Sequence, residues 1–247
     1  MAKLEIRLLD DTEWPSEGFT FELPVRPERC ALGVIDVQRY CIDPETNLAR
    51  VVRQHSPALF EGYTGRVTAM LERIQELQSG FRAQELPVFY TRHGAFLPSG
   101  DDLIVRRRGR EALALDSTAQ EAGHMPGRGD PGFKILDQVA PRAGELVLDK
   151  NTSSAFHTTP LDLLLRNMGV ETIVLTGVAA DMCVLTTALD AADRGFHVIL
   201  VSDACATFDE GSAQATQLLF SRVFGYVRPT TAVLDWLTTG DRDRLLG

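Results

Sequence analysis

Five short apolar runs recur along the chain, separated by segments of helical periodicity. They are Ala31–Asp36, Leu86–Thr91, Glu145–Asp149, Thr172–Thr176 and His197–Val201. Runs of this length are too short for helices and suit buried strands. The segments between them have a different period. Residues 64–79 place Val67, Met70, Leu71, Ile74 and Leu77 on one helical face, with Gly80 as a stop. Residues 160–168 carry Pro160 in the first turn and Gly169 past the end. Further helices are expected at about 182–194, with Leu185, Ala188, Leu189 and Ala192 on one face, and at 210–221 and 230–238. Strands that alternate with helices imply βαβ units, and hence an α/β fold with a parallel sheet, right-handed crossovers and helices on both faces.

A chain of 247 residues fits one such domain, here 1–247. Residues 1–29 are polar and marked by Pro15, Pro24 and Pro27, and read as an arm lying on it. Residues 93–144 are rich in glycine and carry Arg106, Arg107, Arg108 and Arg110. A connection of that length is usually functional, so a lid or binding loop is expected there. The arginines read either as a solvated loop or as donors for substrate oxygens.

Lys and Arg number 25 against 34 Asp and Glu, a net charge of −9. An acidic chain argues against nucleic acid as the main partner, because phosphate binding needs a basic face. No run approaches the roughly 20 apolar residues of a membrane span. The opening residues lack an apolar signal core. A cytoplasmic protein with reduced thiols is the expectation.

In open α/β sheets, ligands bind beyond the carboxyl ends of the strands. Three reactive groups stand there. Asp36 ends the first run, Lys150 follows the third, and Cys183 lies just after the fourth. Asp181 is a plausible N-cap, which puts Cys183 in a first helical turn, where free N–H groups and the helix dipole favour a thiolate. Taken singly, each has a plainer reading: a buried structural cysteine, a strand-end cap, a solvated lysine. Together they suit a nucleophile with a general base and a cation that tunes the base. Cys30 and Cys205 read as structural, and Cys41 as a residue that can line a pocket.

The five histidines, His55, His93, His124, His157 and His197, form no metal-ligand spacing, so no metal is expected. No G-x-G-x-x-G follows a strand and no G-x-x-x-x-G-K-[ST] occurs, so no nucleotide cofactor is expected either.

Ala-Leu-Gly-Val-Ile-Asp36-Val-Gln38, Leu-Asp-Lys150 and Thr-Gly177-Val-Ala-Ala-Asp-Met-Cys183 resemble the isochorismatase-like cysteine hydrolases. The resemblance implies a six-stranded three-layer α/β/α fold of strand order 3-2-1-4-5-6, with Asp36, Lys150 and Cys183 as a catalytic triad. It further implies a cis peptide at Val178–Ala179, an oxyanion held by the N–H groups of Ala179 and Cys183, and a homo-oligomer, dimer or tetramer.

Within the family, Cys183 points to amide cleavage. The Asp-x-His metal segment of nicotinamidases is missing, since Asp43 is followed by Pro44 and Glu45. Residues 128–133, 159–162 and 223–225 resemble the branch that acts on ureides and carbamoyl compounds, such as biuret hydrolase, ureidoacrylate amidohydrolase and N-carbamoylsarcosine amidase. The implied activity is cleavage of a biuret- or triuret-like ureide through a thioester-like intermediate, with release of ammonia. An N-carbamoyl amino acid or maleamate-like amide is the second reading, and a silent binding protein the third. Gln38, Tyr40, Cys41, Phe156 and Phe220 are the expected pocket walls. Cys41 and Phe220 stand where biuret hydrolase has an aromatic residue and a glutamine, which weighs against biuret itself.

Overall fold

The computed structural model describes residues 22–104 and 125–245. The arginines at 106–110 and His124 lie outside them. Six strands form one sheet: β1 Cys30–Ile35, β2 Val88–His93, β3 Leu146–Lys150, β4 Thr172–Val178, β5 His197–Ala206 and β6 Tyr226–Arg228. All pairings are parallel, in the order β3-β2-β1-β4-β5-β6, as the resemblance implies. The order reverses between β1 and β4, which makes that seam the switch point where such sheets bind ligands.

The helices are α1 Arg39–Ile42, α2 Asn47–His55, α3 Pro57–Ala83, α4 Leu161–Asn167, α5 Leu185–Asp193, α6 Glu210–Ser221 and α7 Thr230–Thr239. Alternation along the strands divides the core in two. Leu32 and Val34 of β1 join Val67, Met70 and Ile74 of α3 and Trp236 of α7 on one face. Ala31 and Ile35 join Leu161 and Leu165 of α4, Ala188 of α5 and Phe220 of α6 on the other. No helix among the described residues is long and apolar enough to cross a membrane.

Several elements differ from the sequence expectation. α3 starts seven residues before 64, with Pro57 in its first turn, and runs through Gly80 to Ala83. A Cβ on Gly80 would lie 2.6 Å from Leu234 Cδ2, so this glycine permits a close approach of α7 and does not end the helix. β6 has only three residues and carries no periodic signal of its own. Of the arm, residues 22–29 are described. Leu23 N–H donates to the Tyr226 hydroxyl at 2.7 Å, and Arg26 pairs with Glu171. The expected 93–144 connection contributes two short 3-10 turns, Pro131–Phe133 and Asp137–Val139, in its described part.

Candidate active site

Asp36 follows β1 with φ 51°, a left-handed conformation that Asp tolerates better than most residues. In strict alternation its side chain would follow Val34 into the α3 face. The turn of the backbone carries it instead to Thr91 and Lys150. Thr91 Oγ1 donates to Asp36 Oδ1 at 2.6 Å, and Lys150 Nζ donates to Asp36 Oδ2 at 2.7 Å.

Lys150 is the last residue of β3 and is fully buried. Strands lie about 4.8 Å apart, so an outer-strand lysine must reach about 10 Å to meet the end of β1. Its path passes the end of β2, where His93 is its register partner. An ammonium has three donors, and all three find acceptors: Asp36, the Thr152 carbonyl at 3.0 Å and the Ser153 carbonyl at 2.9 Å.

Cys183 arrives from the other side of the switch point. β4 lies directly against β1, with Ile35 opposite Gly177. Gly177 has φ +116°, and a Cβ there would lie 2.2 Å from the Ile35 carbonyl oxygen, so the position admits only glycine without movement of the seam. The Val178–Ala179 bond is cis. A wide π-helical turn, Ala180–Val184, follows and leads into α5. The Ala179 carbonyl accepts from the N–H groups of Met182 at 3.0 Å and Val184 at 3.2 Å.

The N-cap expectation is corrected here. The residue before the turn is Ala179, which offers no side-chain cap, and Asp181 lies inside the turn, where it accepts from Thr207 Oγ1. The wider turn begins earlier than an α-helical reading allows, and Cys183 still falls in its first turn.

The sulfur is buried beside the carboxylate. One oxygen of Asp36, one ring nitrogen of His93 and Cys183 Sγ lie within 4.8 Å of one another. This donor set is of a kind that can hold zinc. The Lys150 ammonium on Asp36 opposes a second cation there, so the cluster is better suited to moving a proton. Burial, first of all, pushes the thiols of Cys41 and Cys205 up to about 12, and Cys30 higher still. Those three therefore stay protonated at neutral pH.

The expected pocket walls are placed unevenly. Gln38 is fully buried; its amide accepts the His93 N–H at 2.7 Å and donates to the carbonyls of His93 at 3.3 Å and Phe133 at 3.0 Å. Tyr40 is buried in the α3-side core. Cys41 Sγ donates to the Gln38 carbonyl at 3.5 Å. Phe156 and Phe220 share an apolar cluster with Cys183. Phe156 packs on Phe196 with ring centroids 6.0 Å apart, and Phe220 stacks on Phe224 at 6.2 Å.

Thr91 and His93 belong to the site without any sequence motif of their own to mark them. The signal that finds them is the strand-end rule itself, because β2 runs two residues past the apolar run, to His93. Two surface clefts, one of 760 Å³ between α3 and α7 and one of 420 Å³ beside α1, contain none of these groups.

Residues 30–232 match the Isochorismatase domain. The chain belongs to the isochorismatase family. It is 32% identical over 193 residues to the ureidoacrylate amidohydrolase RutB of Methylobacterium radiotolerans, covering 74% of this chain and 71% of that protein. Among solved structures it is similar to a cysteine hydrolase from Pseudomonas syringae pv. phaseolicola, with TM-score 0.70 and 26% identity over 89% of this chain and 97% of the other. It is also similar to N-carbamoylsarcosine amidase from Thermoplasma acidophilum, with TM-score 0.59 and 27% identity over 82% and 96%. The switch-point cluster thus stands in a fold and family of hydrolases.

Proposed function

We propose that this isochorismatase-family hydrolase is a cysteine-dependent amidohydrolase that cleaves the C–N bond of a carbamoyl or ureide group. The observation that carries the reading is the buried cluster in which Lys150 holds the Asp36 carboxylate beside Cys183 Sγ. Asp36 accepts the thiol proton as general base. The sulfur attacks the carbamoyl carbon, and the N–H groups of Ala179 and Cys183 receive the oxyanion. Asp36 returns its proton to the leaving nitrogen, which departs as ammonia from a primary amide. Water, deprotonated by Asp36, then hydrolyses the thioester-like intermediate and restores the thiol. Lys150 meets three acceptors already and acts by keeping the carboxylate placed and charged.

The substrate is a small ureide of the biuret or triuret type, or a carbamoylated acid. One observation favours the second: the names of two relatives, ureidoacrylate amidohydrolase and N-carbamoylsarcosine amidase, both denote carbamoyl groups on acids. By the same resemblance the enzyme works as a dimer or tetramer.

The test is ammonia release from a panel of neutral ureides and N-carbamoyl acids, with the wild type and Cys183→Ala. Loss of at least about 10³-fold in kcat is expected for the variant. A Cys183→Ala protein that keeps the wild-type rate sinks the reading.

A further inference from the structure

The mechanism leaves one titratable side chain of the buried cluster without a role. His93 ends β2 and is fully buried. Its Nδ1 lies 3.7 Å from Cys183 Sγ, within hydrogen-bond reach of sulfur, and 3.9 Å from Asp36 Oδ2. The ring is not there by loose packing. Both backbone polar groups of His93 are held by the one amide of Gln38, which is anchored in turn on Phe133.

We propose that His93 is a further catalytic residue, whose Nδ1–H donates to the sulfur of Cys183 and stabilises the thiolate, and that Gln38 is the residue that positions its ring. This rests on Cys183 being the nucleophile.

The balance of the step shows why a donor is needed. The S–H bond breaks, an O–H bond forms on Asp36, and the electron pair remains on sulfur. The new negative charge is buried. Lys150 has no fourth proton to give it, since its three donors meet Asp36, Thr152 and Ser153. Thr91 Oγ1 is turned to the other carboxylate oxygen. The charged and titratable groups of the cluster around the imidazole are Asp36 beyond β1, Lys150 of β3 and Cys183 in the turn before α5; Cys41 of α1, which interacts with Asp36 and Cys183, stays a thiol at neutral pH. A neutral imidazole has one N–H, and placing it on Nδ1 directs it at the sulfur. A buried charge without such a donor is costly.

The experiment follows alkylation of Cys183 by iodoacetamide against pH on the full chain, with mass mapping and a thermal melt for each variant. It needs no knowledge of the substrate. Three variants separate position from volume. In His93→Asn the side-chain nitrogen is two bonds beyond Cβ, where Nδ1 stands, so the wild-type profile is expected to survive. In His93→Gln the amide lies one carbon further out and misses the sulfur. In His93→Leu there is no donor at all.

For Gln and Leu the midpoint is expected to move to higher pH by about one unit, with alkylation at pH 7 slowed about tenfold. Gln38→Ala is expected to fall between them and the wild type. If His93→Leu does not fold, the contrast of Asn with Gln decides alone. A reactive Cys183 whose profile is the same with Asn, Gln and His at position 93 overturns this proposal and leaves the nucleophile standing. A wild-type Cys183 that resists the reagent at every pH overturns both.

Discussion

Lys150 Nζ lies 2.7 Å from Asp36 Oδ2, and neither side chain meets solvent. An ion pair so placed is strongly asymmetric in its energetics. Removing one partner leaves a buried charge alone, whereas removing both is far milder.

Lys150→Met is therefore expected to lose about 3–5 kcal/mol of stability along with activity. Asp36→Asn combined with Lys150→Met should recover most of that stability and none of the turnover. Urea unfolding of the two variants checks this. Equal stability losses in the single and double variants would refute the buried-pair account.

Gly177→Ala tests the seam between β1 and β4. The new methyl meets the Ile35 carbonyl oxygen at 2.2 Å, at a φ of +116°. A loss of about 2 kcal/mol or more is expected from steric conflict and backbone strain together, and the displacement of Cys183 from Asp36 should lower kcat. An alanine variant with wild-type Tm would show that the seam is more pliable than described.

Asp190 ties down the segment that wraps Lys150. Its Oδ2 accepts from Ser154 Oγ at 2.6 Å and lies 3.0 Å from His157 Nε2, while Ser154 Oγ accepts the Phe156 N–H at 3.1 Å. Asp190→Ala is expected to reduce kcat/KM by up to about 100-fold through misplacement alone, with alkylation of Cys183 little changed. Full activity in this variant would remove the segment from the catalytic account.

Stability should depend on pH through Glu145. Burial raises its carboxyl, but Arg82, the Arg142 N–H and Tyr90 outweigh that and hold it below the ordinary 4.5. Arg82 meets it at 2.7 and 2.9 Å. A depressed carboxylate stabilises the fold fully above its unfolded value and loses that contribution as pH falls through the folded value. Glu145→Gln should thus melt below the wild type at pH 7, and the two melting temperatures should converge as pH falls through the depressed folded value, on the acid side of 4.5. A gap that persists there would assign the effect to packing.

The legible parts of the molecule are those written in local pattern. An apolar run that stops at a carboxylate marks the end of β1, and Gly169 marks the end of α4, because both signals act within a few residues. What could not be read depends on distant partners. Gly80 looks like a helix stop until α7 is seen packed against it. Gln38 follows Asp36 closely enough to suggest a pocket wall, yet its amide serves the backbone of His93, 55 residues away. Asp181 has the composition of a cap and the geometry of a partner for Thr207. His93 is illegible because the last two residues of β2 carry no periodic signal, and a lone histidine announces nothing until the sulfur is beside it.

The reach of Lys150 across the end of β2 also bears on how the protein acquires its chemistry. Positions 36, 93, 150 and 183 meet only when four neighbouring strands are in register, and such distant pairings form slowly. Helical content and collapse can precede them, so during refolding turnover should be the last property to return. A truncated or misregistered chain can hold most of its hydrophobic core and still be inert, which makes turnover a stringent reporter of complete sheet assembly.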